Sequence, residues 1–435
     1  MRWLCQRQLH AAVVIVFSII ISAGEIKAQF DPVQGLSSDD LVRRALASNG
    51  ELAAARIEIE RARGRLRQAG LRANPTLEVE QTTGRFTGSA DERETSVGIA
   101  VPIELGAKRK PRIELAQAEL EAVEAEVADR DRRLTLEVMT LYAEALSALR
   151  ELETTESINQ VDLQTTRFVQ ARVNEGESAP LELNLLRTEV DRLRSRRALV
   201  EGRLTTSLLK LKALAGISDT GPLRLRENLT TIRQSAFPQS VEAAIAIALR
   251  SRPDLRLARL NEEVAEAGLK LARASASPDL TAFTRYSVSR SAFEDTPVGV
   301  LRDRDKTLSF GVSVGIPIFN RNQGHKVEAA ALISQARMRR EFLEQIIRSE
   351  VQSAYARYEA ARSAAATFEQ GVIARSTENI RVIRAAYELG QFQITDLLSE
   401  HRRLLDSQRE YTETLAEQYR ALADLQAALG GPLTR

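Results

Sequence analysis

Few residues in this sequence are of the types that do chemistry, and none sits at a spacing that chemistry needs. The three histidines, His10, His325 and His401, are scattered, and methionine is limited to Met1, Met139 and Met338. Soft-ligand metal sites need such side chains in clusters, so neither a resident metal nor a cofactor is expected. No nucleotide-binding loop and no His-Glu metalloprotease pair occurs, and without a catalytic constellation the chain does not read as an enzyme. The one cysteine, Cys5, precedes an apolar run and leaves the rest of the chain without disulfide chemistry. Lys and Arg number 61 against 59 for Asp and Glu, a net charge of +2. Nucleic acid would call for a concentrated basic excess, so it is not a partner.

The informative residues are instead those that repeat. Leu46-Ala-Ser-Asn-Gly-Glu-Leu52 leads to Asn74-Pro75-Thr-Leu77, and Leu249-Arg-Ser-Arg-Pro-Asp-Leu255 leads to Ser277-Pro278-Asp-Leu280, all at an offset of 203. Val101-Pro102-Ile103 matches Ile316-Pro317-Ile318, and the stretch ending at Gly176 matches the stretch ending at Gly390 at an offset of 214. Four matches in one order mark a duplication. Each copy reads as a helix ending near a proline, two strands, a very long helix, a glycine turn and a returning helix. The expected division is 1–28 export signal, 29–215 first repeat, 216–238 linker and 239–435 second repeat. Arg2 and Arg7 ahead of Ala11–Ala23 give the export signal, with a cut expected after Ala28 and an uncleaved anchor as the alternative.

Leu308 to Ile318 alternates without a fault, with Leu308, Phe310, Val312, Val314, Ile316 and Ile318 on one face and Ser, Gly and Pro on the other. Val97, Ile99, Val101 and Ile103 repeat the pattern in the first copy, and weaker strands begin at Leu77 and Leu280. Such strands suit a tilted membrane crossing, but four cannot close a barrel, for which about eight are needed. A membrane reading therefore requires several chains in one barrel. A soluble antiparallel sheet packed on helices is the other reading. The stretches 83–93 and 289–306 read as polar loop tips. At the opposite strand ends, Lys108-Arg109-Lys110 reads either as a contact with lipid headgroups or as a solvated turn.

From about Pro111 to Asn174, and from about Gly324 to Leu389, the pattern is helical, some 65 residues or roughly 100 Å in each case. Leu332, Ala336, Leu343, Ile347, Val351, Ala354, Tyr358 and Ala361 form a seam on the second of these. A further seam on the returning helix, from Ile394 to Leu425, wants partner helices.

With these elements in place the architecture resembles the TolC family of outer-membrane factors over nearly the whole mature chain. Its most specific pieces are Ile316-Pro-Ile-Phe-Asn-Arg-Asn-Gln-Gly324 and Ala386-Tyr-Glu-Leu-Gly390 followed by Ile394-Thr-Asp-Leu-Leu398. The first of these looks most like the CzcC-like branch that serves heavy-metal cation efflux, a signal shared with other branches. The resemblance implies a mainly α fold with a small antiparallel β part, built as a tandem repeat. It also implies a homotrimer whose twelve-stranded outer-membrane β-barrel continues into a periplasmic α-helical barrel. The function so implied is a passive exit duct, partnered by a periplasmic adaptor (membrane fusion protein), an inner-membrane RND-type pump and outer-membrane lipid. Heavy-metal cations are the expected cargo, with drug efflux or type I protein secretion as alternatives. An exported trimeric coiled-coil protein is the rival from another class, though it leaves the duplicated strands unexplained.

By the same resemblance the turns at Gly176 and Gly390, with Glu177, Ser178 and Gln391, form the tip that docks the adaptor. The blander reading is that the glycines serve the turns alone. Ser178 is expected to cap the next helix, with Pro180 in its first turn. Asp396 stands where similar family members place an acidic ring at the periplasmic gate, and Glu182, its counterpart in the first repeat, is expected to add a second ring. The alternative for Asp396 is a helix-start carboxylate favoured by the helix dipole.

Overall fold

The computed structural model describes residues 30–86, 92–219, 221–231, 238–293 and 301–431. The export signal read at 1–28 lies outside these residues. In the first copy α1 (Ser38–Ser48) and α2 (Gly50–Ala69) precede β1 (Thr76–Thr83) and β2 (Arg93–Ile103), followed by α3 (Arg109–Asn174) and α4 (Pro180–Leu214). The second copy repeats the order with α5 (Val241–Ser251), α6 (Pro253–Ala274), β3 (Leu280–Phe293) and β4 (Leu301–Val314). It continues with α7 (Gln323–Thr367), α8 (Ala374–Glu388) and α9 (Ile394–Ala428). α1 and α5 begin 203 residues apart, while α3 and α7, like α4 and α9, begin 214 apart. The element boundaries thus carry the same two offsets as the sequence matches.

Three elements differ from the expectation. The single helix before each strand pair is two helices, because Asn49 and Arg252 leave the helical region at ψ 123. Asn49 Oδ1 then accepts the Leu52 N–H at 3.0 Å and starts the next helix. The second long helix is interrupted by a π-helical stretch, Phe368–Ile373, that contains Gly371. The last strand occupies Leu301–Val314 rather than 308–318. Pro317 has no N–H to give a ladder, and the Ile318 N–H turns back to Ile316 O at 2.9 Å. Residues 289–293 and 301–306, read as loop, are paired strand. Their polar alternation serves both faces, so no apolar face announced it.

The chain forms two compact units, and each draws on both copies. One takes the described residues of Met1–Ala55, Val127–Pro253 and Glu344–Arg435, and the other is Arg56–Glu126 with Asp254–Leu343. In the first unit Leu41, Tyr142, Leu146, Leu204, Leu225 and Tyr419 belong to one buried cluster. The seam on α7 is buried here at Ile347, Val351, Ala354, Tyr358 and Ala361. The part of that seam in the second unit differs, since Leu332 is 48% exposed in the single chain. The second unit holds the four strands, and Glu262 of α6 pairs there with Arg337 and Arg340 of α7, both at 3.0 Å.

Candidate functional site

Two places are the candidates for function, and the first is the sheet. Its order is β1-β2-β3-β4, every pair antiparallel. Register decides which side chains share a face. Leu77 pairs with Ile99 and Val79 with Val97. Val97 then pairs with Tyr286 and Ile103 with Leu280. Tyr286 pairs in turn with Leu308, and Ala282 with Val312. One face is therefore apolar across all four strands, and it is bare: Leu77 is 70% exposed, Phe310 76% and Val312 67%. A soluble sheet packed on helices would have covered this face, so that reading falls.

The other face is small and polar. Ser96 and Ala100 are buried there, and Gly98 gives Arg285 room to cross to β1, where it meets Glu78 at 3.0 Å and Glu80 at 3.4 Å. The Phe283 ring lies over Gly311, its direct partner on β4. Gly311-Val-Ser313-Val-Gly315 has the letters of a nucleophile elbow, and the sequence reading passed over it. The structure lays Gly311 to Val314 in β4, with Ser313 paired to Thr281, so no strand-to-helix elbow exists. At the helix end of the strands the basic turn is a structural one. Lys108 Nζ is 2.8 Å from Asp279, and Arg109 Nε donates to Gly70 O at 2.8 Å.

The second place is the pair of helical turns in the other unit. Gly176 (φ +79) ends α3 and Gly390 (φ +75) ends α8. Both close the same way: the Gly176 N–H donates to Val173 O at 3.2 Å and Glu177 N–H to Arg172 O at 2.8 Å. Gly390 N–H donates to Tyr387 O at 2.9 Å and Gln391 N–H to Ala386 O at 2.8 Å. This is the Schellman arrangement, in which the left-handed residue is almost always glycine. Glu177 and Gln391 are exposed at the two turns. Ser178 does not cap: Ala179 holds the N-cap position of α4 with no side-chain bond, and Pro180 begins the helix as expected. A proline at the first position needs no partner for its nitrogen, so the cap has less to satisfy.

Val169, Leu183, Leu186, Tyr387, Ile394 and Leu397 bring α3, α4, α8 and α9 into one buried cluster behind the tips. Glu182 and Asp396 both stand at the third position of their helices. Asp396 is exposed and its Oδ2 accepts the Gln393 N–H at 3.1 Å. Glu182 is half-buried, and its Oε2 accepts the Tyr387 hydroxyl at 3.3 Å. Sequence reading missed two long-range pairs in the same bundle, one of them buried on both sides. Nδ1 of His401, set aside as a scattered histidine, lies 2.7 Å from Asp162 Oδ1, and both side chains are buried. Glu189 on α4 accepts from Arg402 at 2.8 Å. Nothing in the spacing announces either pair. Among the described residues there is no group of His, Cys, Asp and Glu that could hold a metal ion, and no helix long and apolar enough to cross a membrane.

A sheet bare and apolar on one face, polar on the other, and joined to long paired helices defines the class as a β-strand membrane channel. The sequence profile of the outer membrane efflux protein family matches residues 41–217 and 244–431, and the chain belongs to that family. It is an outer-membrane efflux channel, a transport duct and not an enzyme. The cobalt-zinc-cadmium resistance protein CzcC of Cupriavidus metallidurans is 25% identical over 389 residues, 89% of this chain and 88% of its own. The solvent efflux pump outer membrane protein SrpC of Pseudomonas putida is 24% identical over 408 residues, 90% of this chain and 84% of its own. The crystal structure of CusC, described in terms of folding and transmembrane channel formation, has a TM-score of 0.74 at 21% identity, covering 93% of this chain and 96% of that one.

Proposed function

We propose that three copies of this chain close one twelve-stranded barrel and act as the passive exit duct of a tripartite efflux system for divalent metal cations. The observation that carries the assembly is the open four-stranded sheet, apolar toward the outside. Among the described residues β1 and β4 each pair on one side only, and an unpaired strand edge in lipid leaves backbone groups unsatisfied at several kcal/mol each. Twelve strands remove every edge. The tips at Gly176 and Gly390 then meet the periplasmic adaptor, and an inner-membrane pump supplies the energy.

The polar face of the sheet favours cations as cargo. By register it carries Glu78, Glu80, Glu94, Asp303 and Asp305 against Arg285 alone among the described residues. Rings of carboxylates along a pore favour cations over anions and over apolar solutes. The relative's name, cobalt-zinc-cadmium resistance protein, agrees with this reading. The solvent-efflux relative is matched over a similar length, and an organic cargo is the competing outcome.

At the periplasmic entrance Asp396 is the gate residue of the proposal, since three copies around one axis would concentrate multivalent cations. The test is single-channel recording in planar bilayers with a trivalent cation on the periplasmic side. The wild-type channel is blocked at low concentration, and Asp396→Asn needs at least about tenfold more cation. Equal block of the two channels places the constriction elsewhere. Loss of the gene should in turn sensitise cells to cobalt, zinc or cadmium. Sensitivity to organic solvents alone overturns the cargo reading and leaves the channel reading intact.

A further inference from the structure

The apolar band ends, on the hairpin side of the sheet, in a row of arginines. Arg93 of β2 pairs directly with Arg290 of β3, and Arg290 pairs directly with Arg304 of β4. Two residues nearer the band, Lys306 pairs with Val288. All four cations share the face of Tyr286 and Leu308, and all four are exposed. Like charges directly opposite on neighbouring strands repel, and here three guanidinium groups stand abreast. The acids of the same hairpins offer no relief. Glu94, Asp303 and Asp305 alternate with the cations along the strands and so fall on the opposite face. Among the described residues none of the four cations has an ion-pair partner.

The height of the row matters as much as its charge. Arg290 lies ten residues beyond Leu280, the first residue of β3 on the apolar face. At about 3.3 Å per residue and a strand tilt of about 40°, that is roughly 25 Å, the height of the apolar band of an outer-membrane barrel. The row therefore sits where hydrocarbon gives way to headgroups. The helices leave the sheet at its other end, so in a channel with a periplasmic helical part this is the outer leaflet.

We propose that Arg93, Arg290 and Arg304, with Lys306 reaching up from below, form a binding site for the phosphate groups of a phosphorylated glycolipid in the outer leaflet. Guanidinium groups donate bidentately to phosphate oxygens, and the bound phosphates remove the repulsion along the row. Continuity with the lipid-facing band selects a lipid headgroup over a free anion. The lysine stem lies along the band while its ammonium reaches the headgroup level.

The test uses the full mature protein, purified and stripped of lipid. The probes are a bisphosphorylated lipid A and the same glycolipid with both phosphates removed, scored by native mass spectrometry and thermal unfolding. Wild type retains the bisphosphorylated lipid and melts higher with it than with the dephosphorylated one. Each arginine removed weakens retention about fivefold, so Arg93→Gln/Arg290→Gln/Arg304→Gln loses about a hundredfold. If the triple variant does not assemble, Arg304→Gln alone should show the fivefold step. Equal binding of the two lipids by wild type overturns the site outright. Equal stabilisation by millimolar inorganic phosphate would show an anion site with no lipid specificity, and that also overturns the proposal.

Discussion

Tyr142 is the largest fully buried side chain among the described residues, and its hydroxyl makes a sharp prediction. The residue is fully buried, with its ring centroid 6.2 Å from that of Tyr419. The hydroxyl donates to Leu36 O at 3.1 Å and accepts the Glu227 N–H at 3.3 Å, so it ties α3 to the segment before α1 and to the linker between the copies. Tyr142→Phe keeps the ring and removes only the oxygen. The two backbone groups do not suffer equally. Leu36 O also accepts the Arg226 N–H at 3.1 Å and stays satisfied, whereas the Glu227 amide loses this acceptor. Losing a part-buried hydrogen bond of this kind costs about 1–2 kcal/mol. Hydrogen exchange of the assembled protein in detergent reads this directly. The Glu227 amide should exchange about 5- to 30-fold faster in the variant, with the α4 amides unchanged. A variant whose Glu227 amide exchanges at the wild-type rate would show that this hydrogen bond does not hold the linker, and the argument would fail.

Two further outcomes follow from the same structure. Burial raises the phenol pKa of both Tyr142 and Tyr419 above the ordinary value, so the folded state keeps protons that the unfolded state loses above about pH 10. Stability should be level below that pH and fall as pH rises past it, less steeply in Tyr142→Phe; a flat alkaline melting profile refutes the assignment. In the sheet, a Cβ added at Gly311 would run into the Phe283 ring, so Gly311→Val should cost about 1–3 kcal/mol of barrel stability. Phe283→Ala should recover most of that loss in the double variant, read by heat-modifiability on gels, and strict additivity would count against the ring-over-glycine contact.

The repeat, the long helices and the strand pairs were legible because each rests on a local period. Ile347, Val351 and Ala354 step at helical spacing, and Leu308 and Phe310 at strand spacing, whatever the rest of the chain does. The two glycine turns were legible for a similar reason, since Gly176 and Gly390 stand where a helical pattern stops and resumes. What stayed hidden depends on partners far away. His401 meets Asp162 across 239 residues and Arg402 meets Glu189 across 213, and no window of sequence contains both ends. Residues 301–306 were read as loop because both faces of that hairpin are charged, and the alternation of Arg with Asp is invisible to a scale of hydrophobicity. Ser178 failed as a cap because Pro180 already begins α4 and Ala179 occupies the position a capping side chain would need. Leu332 was placed on a buried seam, yet it is exposed in the single chain; a seam can be satisfied by another copy, and sequence alone does not say whose helix covers it.

The two carboxylates at the helix starts separate for a reason that bears on the gate. Asp396 and Glu182 have the same helical position and the same distance from a glycine turn, so sequence treats them as equals. The structure does not. Glu182 is half-buried and accepts the Tyr387 hydroxyl, which uses its charge inside the bundle. Asp396 gives one oxygen to the Gln393 amide and is exposed, so its second oxygen remains available to solvent. Capping and gating are therefore compatible at Asp396, because the bond that satisfies the helix end also fixes where the charge stands. Asparagine at 396 keeps an oxygen for the same amide, so the variant removes charge while largely sparing the cap. The consequence is an asymmetry between the two positions. Asp396→Asn should lower trivalent block with little effect on assembly, and Glu182→Gln should leave block near wild type. Should Glu182→Gln relieve block as strongly as Asp396→Asn, the entrance would be lined by both carboxylates, and the Tyr387 contact would have to break in the assembled channel.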